Sequence, residues 1–443
     1  MKINSRNFIV ALVTIIVVIA LLVVPGIIGG SIHSATVDSV IELVPPPEQS
    51  QVRVTGSAFQ RGWFNSTAQL QVEFLPLLEM TAEPVTLLLD MDIRHGPVLF
   101  TREGLKWGLA SADITPTLGG PGAEELRAEI PTDTPLPVLD GYMLAGFDQT
   151  LMLGVTLGAY EYSDVQGSIQ FGGLDGSITF VGDSLRGFLV ETGQLSLDVA
   201  SEPFDLQIAP SRAESRFEAS DQLVAPVSGS MEIPSISSTM PARLSITGMV
   251  MESSLNYSSP QQEQLAARHS IHIDNVEGVV PLSTFSWRTE LNDIDRELAE
   301  GYYLLAENLG NVNSQGFGTD VLISNMESNL LQNPMELISR LQTNAYDGEH
   351  RVSIQVNWAG IAGARRFDNV PPAELFEALT ASVELDVDEM AMGRSPLAGM
   401  VTPYIREGIL VPENGRILIR GDLHNGTLVV NEQEFPLGDM FNQ

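Results

Sequence analysis

The chain has 443 residues, 56 of them acidic against 23 basic, for a net charge of −33, and it contains no cysteine. So large an acid excess excludes a nucleic-acid binder and a body lying flat on an anionic lipid surface. Without cysteine there are no disulfides and no thiol chemistry.

Lys2 and Arg6 precede a run from Phe8 to Ile28 that carries no charge. At about 1.5 Å per residue such a run spans roughly 30 Å, the thickness of a bilayer's hydrocarbon core. A cleaved signal peptide has a shorter apolar region, about 7–15 residues, and a small-x-small cleavage site. "GGSIHSA" is a poor match to that site. The sequence therefore predicts a cytoplasmic stub over 1–7, a transmembrane anchor over 8–28 and a tether over 29–50, stiffened by "PPPEQS". With the early cations before the span, the N-terminus is expected in the cytoplasm and the remainder across the membrane.

From 51 to 292 the dominant period is two. In "RGWFNSTAQLQVEF", Arg61 to Phe74, the side chains of Ala68, Leu70, Val72 and Phe74 fall on one side of an extended strand. Gln69, Gln71 and Glu73 fall on the other. Gly62 lets the chain turn into this strand, with Trp63 and Phe64 over the end of the apolar face. "SITFVG" and "QLSLDVA" alternate in the same way between glycine turns, the pattern of a long antiparallel sheet with one wet face. "PTDTPLPVLDG" reads as a long connection.

After Trp287 the period lengthens, and 293–443 is predicted as a smaller α+β region. Ile294, Leu298, Tyr302, Leu305 and Leu309 make a helical stripe over 293–309, with Asn292 as its cap. A second helical stretch runs over 320–341. It includes "NPMELISRL", where Asn333, Pro334 and Glu336 imitate a capping box. Short helices are expected at 371–381 and 396–406. In the closing "RILIRGDLHNGTLVVNEQEFPL", Asn425-Gly426 suits a type I′ hairpin turn.

Three stretches carry a resemblance: the "RGWFNST" strand, "IRHGPVLFTREGLKWGLASADI", and "DLHNGTLVVNEQEFPLGDMF". Together they resemble the YdgA-like family of bacterial envelope proteins, whose chains share a "rGwFsS" strand, an "HGP" turn and a closing "NGxLxxNGxxxPL" hairpin. "NEQ" at 431–433 stands where that family turns on Asn-Gly, so a looser second turn is expected here. The resemblance implies an inner-membrane address and this architecture, with a periplasmic ectodomain and no assigned chemistry. The glycine-turned sheets are more distantly similar to the AsmA-like proteins, implied in phospholipid transport.

No nucleophile–base motif, phosphate loop or cofactor signature stands out. His269 and His272, three apart, point to opposite faces of a strand and cannot share a metal. His95, Gly96 and Pro97 read as a structural turn in which His95 bonds a backbone carbonyl. Asp90 and Asp92 read as a solvated face. The expected function is non-enzymatic: an envelope protein holding or passing phospholipid in an apolar β-groove lined by Trp63, Phe64, Leu70, Val72 and Phe74. A filled core demands the same alternation. The alternative function is an adaptor that docks an envelope partner through its acidic ectodomain. The predicted topology makes an alkaline phosphatase fusion after Gln443 active; an inactive fusion contradicts it.

Overall fold

The computed structural model describes residues 52–436 except 75–82, 102–103, 130–137, 164, 166, 183, 200–203, 221–222, 240–242, 279–281 and 311–318. The stub, anchor and tether assigned to 1–50 lie outside the described residues. Among the described residues no helix is long and apolar enough to cross a membrane. The fold is mainly antiparallel β with few helices. Two compact units divide the chain: Met1–Tyr162 with Phe171–Thr192, and Ser163–Gln170 with Gly193–Gln443.

In the first unit the strands are β1 (Val52–Arg61), β2 (Asn65–Phe74), β3 (Val85–His95), β4 (Val98–Thr101), β5 (Gly104–Trp107), β6 (Ala110–Gly119), β7 (Leu139–Ala145) and β8 (Thr150–Leu157). Short strands β9 (Tyr160–Ser163) and β10 (Gly167–Phe171) fall where the chain passes between units, before β11 (Leu174–Val181) and β12 (Ser184–Thr192). Eight strands pair antiparallel in the order β1-β2-β3-β6-β7-β8-β11-β12. Strands β4 and β5 form a separate hairpin, and helix α1 (Pro121–Glu129) follows β6. Burial alternates strictly along β2, with Ala68, Leu70 and Val72 inside and Gln69, Gln71 and Glu73 outside. These inner residues join Met91, Ile93, Ala110, Ala112 and Met143 in one buried cluster.

The second unit is a longer meander. Its strands are β13 (Leu195–Val199), β14 (Phe204–Ile208), β15 (Ser211–Phe217), β16 (Val227–Ser238), β17 (Leu244–Tyr257), β18 (Gln264–Ile273), β19 (Asn275–Glu277) and β20 (Leu282–Asp295). After helices α2 (Arg296–Gly310) and α3 (Thr319–Gln332) come β21 (Met335–Ala345) and β22 (Gly348–Trp358). Helix α4 (Pro372–Ala378) leads into β23 (Leu379–Asp388), and helices α5 (Glu389–Arg394) and α6 (Ala398–Arg406) follow it. The chain ends in β24 (Val411–Glu413), β25 (Arg416–His424), β26 (Thr427–Val430) and β27 (Gln433–Pro436). The spine β16-β17-β18-β20-β21-β22-β23-β25 is antiparallel throughout.

Three sequence expectations are corrected here. Residues 335–341, expected as the end of a helix, are the start of β21, which pairs with β20 and β22 along its length. Leu337 and Leu341, four apart, share a face in a strand as well as in a helix, so their spacing was neutral and two waiting strand edges decided the outcome. Asn292 does not cap α2: it lies in β20 and donates to Glu336, while Asp295 accepts from the Leu298 amide in the cap position. The second closing turn is no looser than the first. Asn425 and Gly426 take φ of 49° and 71°, and Asn431 and Glu432 take 45° and 71°, so both are two-residue turns with positive φ. The Asn431 side chain holds the second one, accepting from the Arg420 amide and donating to the Ile409 carbonyl.

An ion pair joins β23 to β25. The Arg416 guanidinium bonds Asp386 at 2.6 Å and holds that carboxyl below the usual aspartate range, chiefly by the hydrogen bond and also by its charge. A lowered folded-state pKa stabilises the fold above the unfolded value and is lost as pH falls through the folded one. Asp386→Asn is therefore expected to cost about 0.5–1 kcal/mol near neutrality. The difference from the natural protein should close in acid, below the ordinary aspartate range. Urea unfolding at the two pH values checks this; an equal gap at both contradicts it.

Candidate functional site

In an antiparallel sheet directly paired residues share a face, so register builds rows of side chains across the strands. In the second unit Met231 pairs with Met251, Met251 with Ile271, and Ile271 with Trp287. Trp287 pairs with Leu341, Leu341 with Val352, Val352 with Leu385, and Leu385 with Ile419. This row is apolar through eight strands. A second apolar row on the same face runs from Val227 through Leu255, Ala267, Leu291, Leu337, Val356 and Ala381 to Leu423.

Between them a middle lane runs from Gly229 through Ser253, His269, Thr289 and Ser339, then Ile354 and Val383, to Gly421. In it Ser253 bonds His269 at 2.8 Å and Thr289 bonds Ser339 at 3.2 Å. Trp287 donates its indole N–H to Ser339, and His269 stands edge-on to the Trp287 ring. The lane thus satisfies much of its own polarity within the apolar face.

Among the described residues, helices pack on this face at its margins. Leu298 and Ala299 of α2 pack with Leu265 and Ile294 at one end. Met392, Val401 and Ile405 of α5 and α6 pack on Val387 and Ile417, and Leu331 and Leu375 lie against Trp358. Met251, Ile271, Trp287, Leu341 and Val352 belong to none of these clusters, and none of the five is fully buried. At a strand spacing of about 4.8 Å, five strands leave an apolar span roughly 19 Å wide.

The other face of the same sheet is polar. Arg268, Arg288, Arg340, Arg351 and Arg420 project from it by register, interleaved with acids. Ion pairs include Arg288 with Glu290 at 2.7 Å and Arg351 with Glu349 at 2.7 Å. Two open cavities of about 410 and about 440 Å³ lie among these side chains. His269 and His272 fall on opposite faces, His272 bonding Asp274.

The residues singled out in the sequence lie in the first unit. Leu70 and Val72 sit inside the filled cluster, with Phe74 packed against it, whereas Trp63 and Phe64 are more than half exposed. These five therefore do not line one common surface. Asp90 and Asp92 are exposed, and Asp90 accepts from Gln69.

His95, Gly96 and Pro97 close a turn against the loop before β2. His95 is 5% exposed. Its Nδ1 lies 3.2 Å from the Trp63 carbonyl and its Nε2 lies 3.0 Å from Ser66 Oγ. Since a carbonyl only accepts, Nδ1 carries the proton and Nε2 accepts from the Ser66 hydroxyl. Ser66 Oγ in turn accepts from the Gly62 amide, and the His95 amide donates to the Phe64 carbonyl. A Cβ on Gly62 would collide with the Asn65 carbonyl oxygen, and one on Gly96 with the Gly108 oxygen, so both positions require glycine. The Gly96–Pro97 peptide is cis. Serine and histidine are oriented as a nucleophile and its base would be, yet Ser66 is only 3% exposed and already bonded, so the pair locks two loops together.

Sequence reasoning missed the open face of the second unit. Its signal was present as alternation in "MVMESSL", "RHSIHI", "FSWRTEL" and "RVSIQVN". What was lacking was the register that sets those residues side by side.

These features define a scaffold of antiparallel sheets, one of them presenting a partly exposed apolar span. The chain belongs to the bacterial protein family of unknown function DUF945, whose sequence profile matches residues 7–438. No curated protein and no solved structure matches the chain.

Replacing Ser66 by Ala leaves His95 Nε2 and the Gly62 amide without their partner in a buried site. The expected cost is about 1–3 kcal/mol, read as a lower urea midpoint for the first unit. An unchanged midpoint contradicts the lock.

Proposed function

We propose that this protein is a YdgA-like, non-enzymatic envelope protein, anchored in the bacterial inner membrane through residues 8–28, that holds phospholipid acyl chains on the apolar face of its second sheet in the periplasm. The observation that carries this reading is the apolar span of Met251, Ile271, Trp287, Leu341 and Val352, which joins none of the buried clusters and keeps partial exposure. A large apolar span on a folded chain marks a surface that something apolar occupies. Each methylene sheltered there contributes about 0.8 kcal/mol, and no reacting group is needed for holding or passing a lipid. The span lies in the second unit, away from Trp63, Phe64, Leu70, Val72 and Phe74.

The test is labelling in living cells with a photoreactive phospholipid, using the full chain. Crosslinks are expected in peptides of β17 to β22 as well as in 8–28. Leu341→Glu, which places a charge in the span, should reduce the sheet labelling about tenfold or more, as a loss of at least 1.4 kcal/mol would. Labelling confined to 8–28 sinks the proposal.

A further inference from the structure

The hairpin β4–β5 is apolar on the wrong side for a soluble fold. Val98 pairs with Trp107 and Phe100 with Leu105, so these four share one face. Leu99 points the other way and is buried at 1% exposure. Phe100, Leu105 and Trp107 are 72%, 59% and 70% exposed.

The hairpin is not alone at its end of the sheet. Strand β2 begins where β3 ends, β6 begins there too, and β7 ends and β8 begins opposite Ala110. The segments 62–64, 96–101, 104–109 and 146–149 therefore emerge together, bringing Trp63, Phe64 and Phe147, each more than half exposed. Their backbone is held from within: Arg94 donates to the Phe100 carbonyl, Gly108 to Pro97, and Leu109 to Ala145. His95 ties the 62–64 loop to the same place. A rigid frame thus presents aromatic side chains outward, so their exposure is built in.

We infer that this aromatic end of the first unit docks into the interfacial layer of a lipid bilayer. Tryptophan and phenylalanine partition to the headgroup boundary, where an apolar ring is sheltered and the indole N–H stays solvated. Arg61, at the end of β1, supplies a cation at this end that can meet lipid phosphates. Contact by one end also leaves the acidic body off the surface.

The reach is sufficient. If residues 8–28 anchor the chain, the 23 residues from Gly29 to Gln51 can extend at most about 75–83 Å, at roughly 3.3–3.6 Å each. Strand β1 is ten residues, about 33 Å, so the tether can turn back and let the Arg61 end face the bilayer. The inference rests on the anchor reading of 8–28 and not on lipid binding by the second sheet.

Four tryptophans allow the two to be told apart: Trp63 and Trp107 at the docking end, Trp287 in the sheet span, and Trp358. The full chain, reconstituted in vesicles of phosphatidylcholine brominated near the headgroup end of its acyl chains, is compared in variants retaining one tryptophan, the others replaced by Phe. Circular dichroism verifies that each variant is folded. With only Trp107 present, emission is expected to shift to the blue and to be strongly quenched by the brominated lipid. Phe100→Ser with Leu105→Ser in that background should abolish most of the quenching. Unquenched Trp107 emission, or quenching indifferent to the double substitution, overturns the inference, including the case in which a protein partner is the natural occupant. Quenching of Trp287 alone overturns it while leaving the sheet-face reading standing.

Discussion

Strand register sets which side chains meet across the second sheet, and both of its faces follow from it. The central strands of the second unit largely alternate apolar and polar residues, and a one-residue slip would turn the following strands inside out. Because Met231, Met251, Ile271, Trp287, Leu341, Val352, Leu385 and Ile419 pair in succession, alternation within strands becomes an apolar face across them. The arginines and acids are thrown together on the opposite face by the same register, where they pair with one another. Cross-strand contacts of this kind, each modest, hold the sheet where no second layer covers its middle.

The two units resolve the same alternation differently. In the first, the apolar face around Leu70 and Ile93 is closed to solvent, while Ile178 and Phe188 further along it are 43% and 39% exposed. In the second, helices close only the margins. The covered parts account for the stability of the fold, and the open parts are where an apolar ligand gains most by leaving water.

Buried polar groups serve positioning here. Ser66, His95 and the Gly62 amide bond one another, so none is left unsatisfied, and the result is a fixed platform under the exposed rings of Trp63 and Phe64. Arg94 does the same under the β4–β5 hairpin, bonding Asp113 at 2.6 Å while donating to the Phe100 carbonyl. Exposed aromatics on a stiff base lose little entropy on docking, the condition under which a small surface binds well.

Much of the fold was legible in the sequence. The β2 alternation, the helical stripe after Trp287 and the Asn425-Gly426 turn depend on contacts near in sequence, and local period and φ preference determine them. Residues 335–341 were misread because leucines four apart satisfy helix and strand alike, and the flanking β20 and β22 chose between them. Tyr302, placed in the helical stripe of α2, is 68% exposed, while Leu298 and Ala299 of that helix pack with Leu265 and Ile294. Composition and period alone set which residues of each strand are apolar. That Leu70 and Val72 are fully buried while Trp287 and Leu341 stay partly exposed was settled by tertiary packing. Coverage depends on what packs against a face from far along the chain, and no period within a strand encodes that.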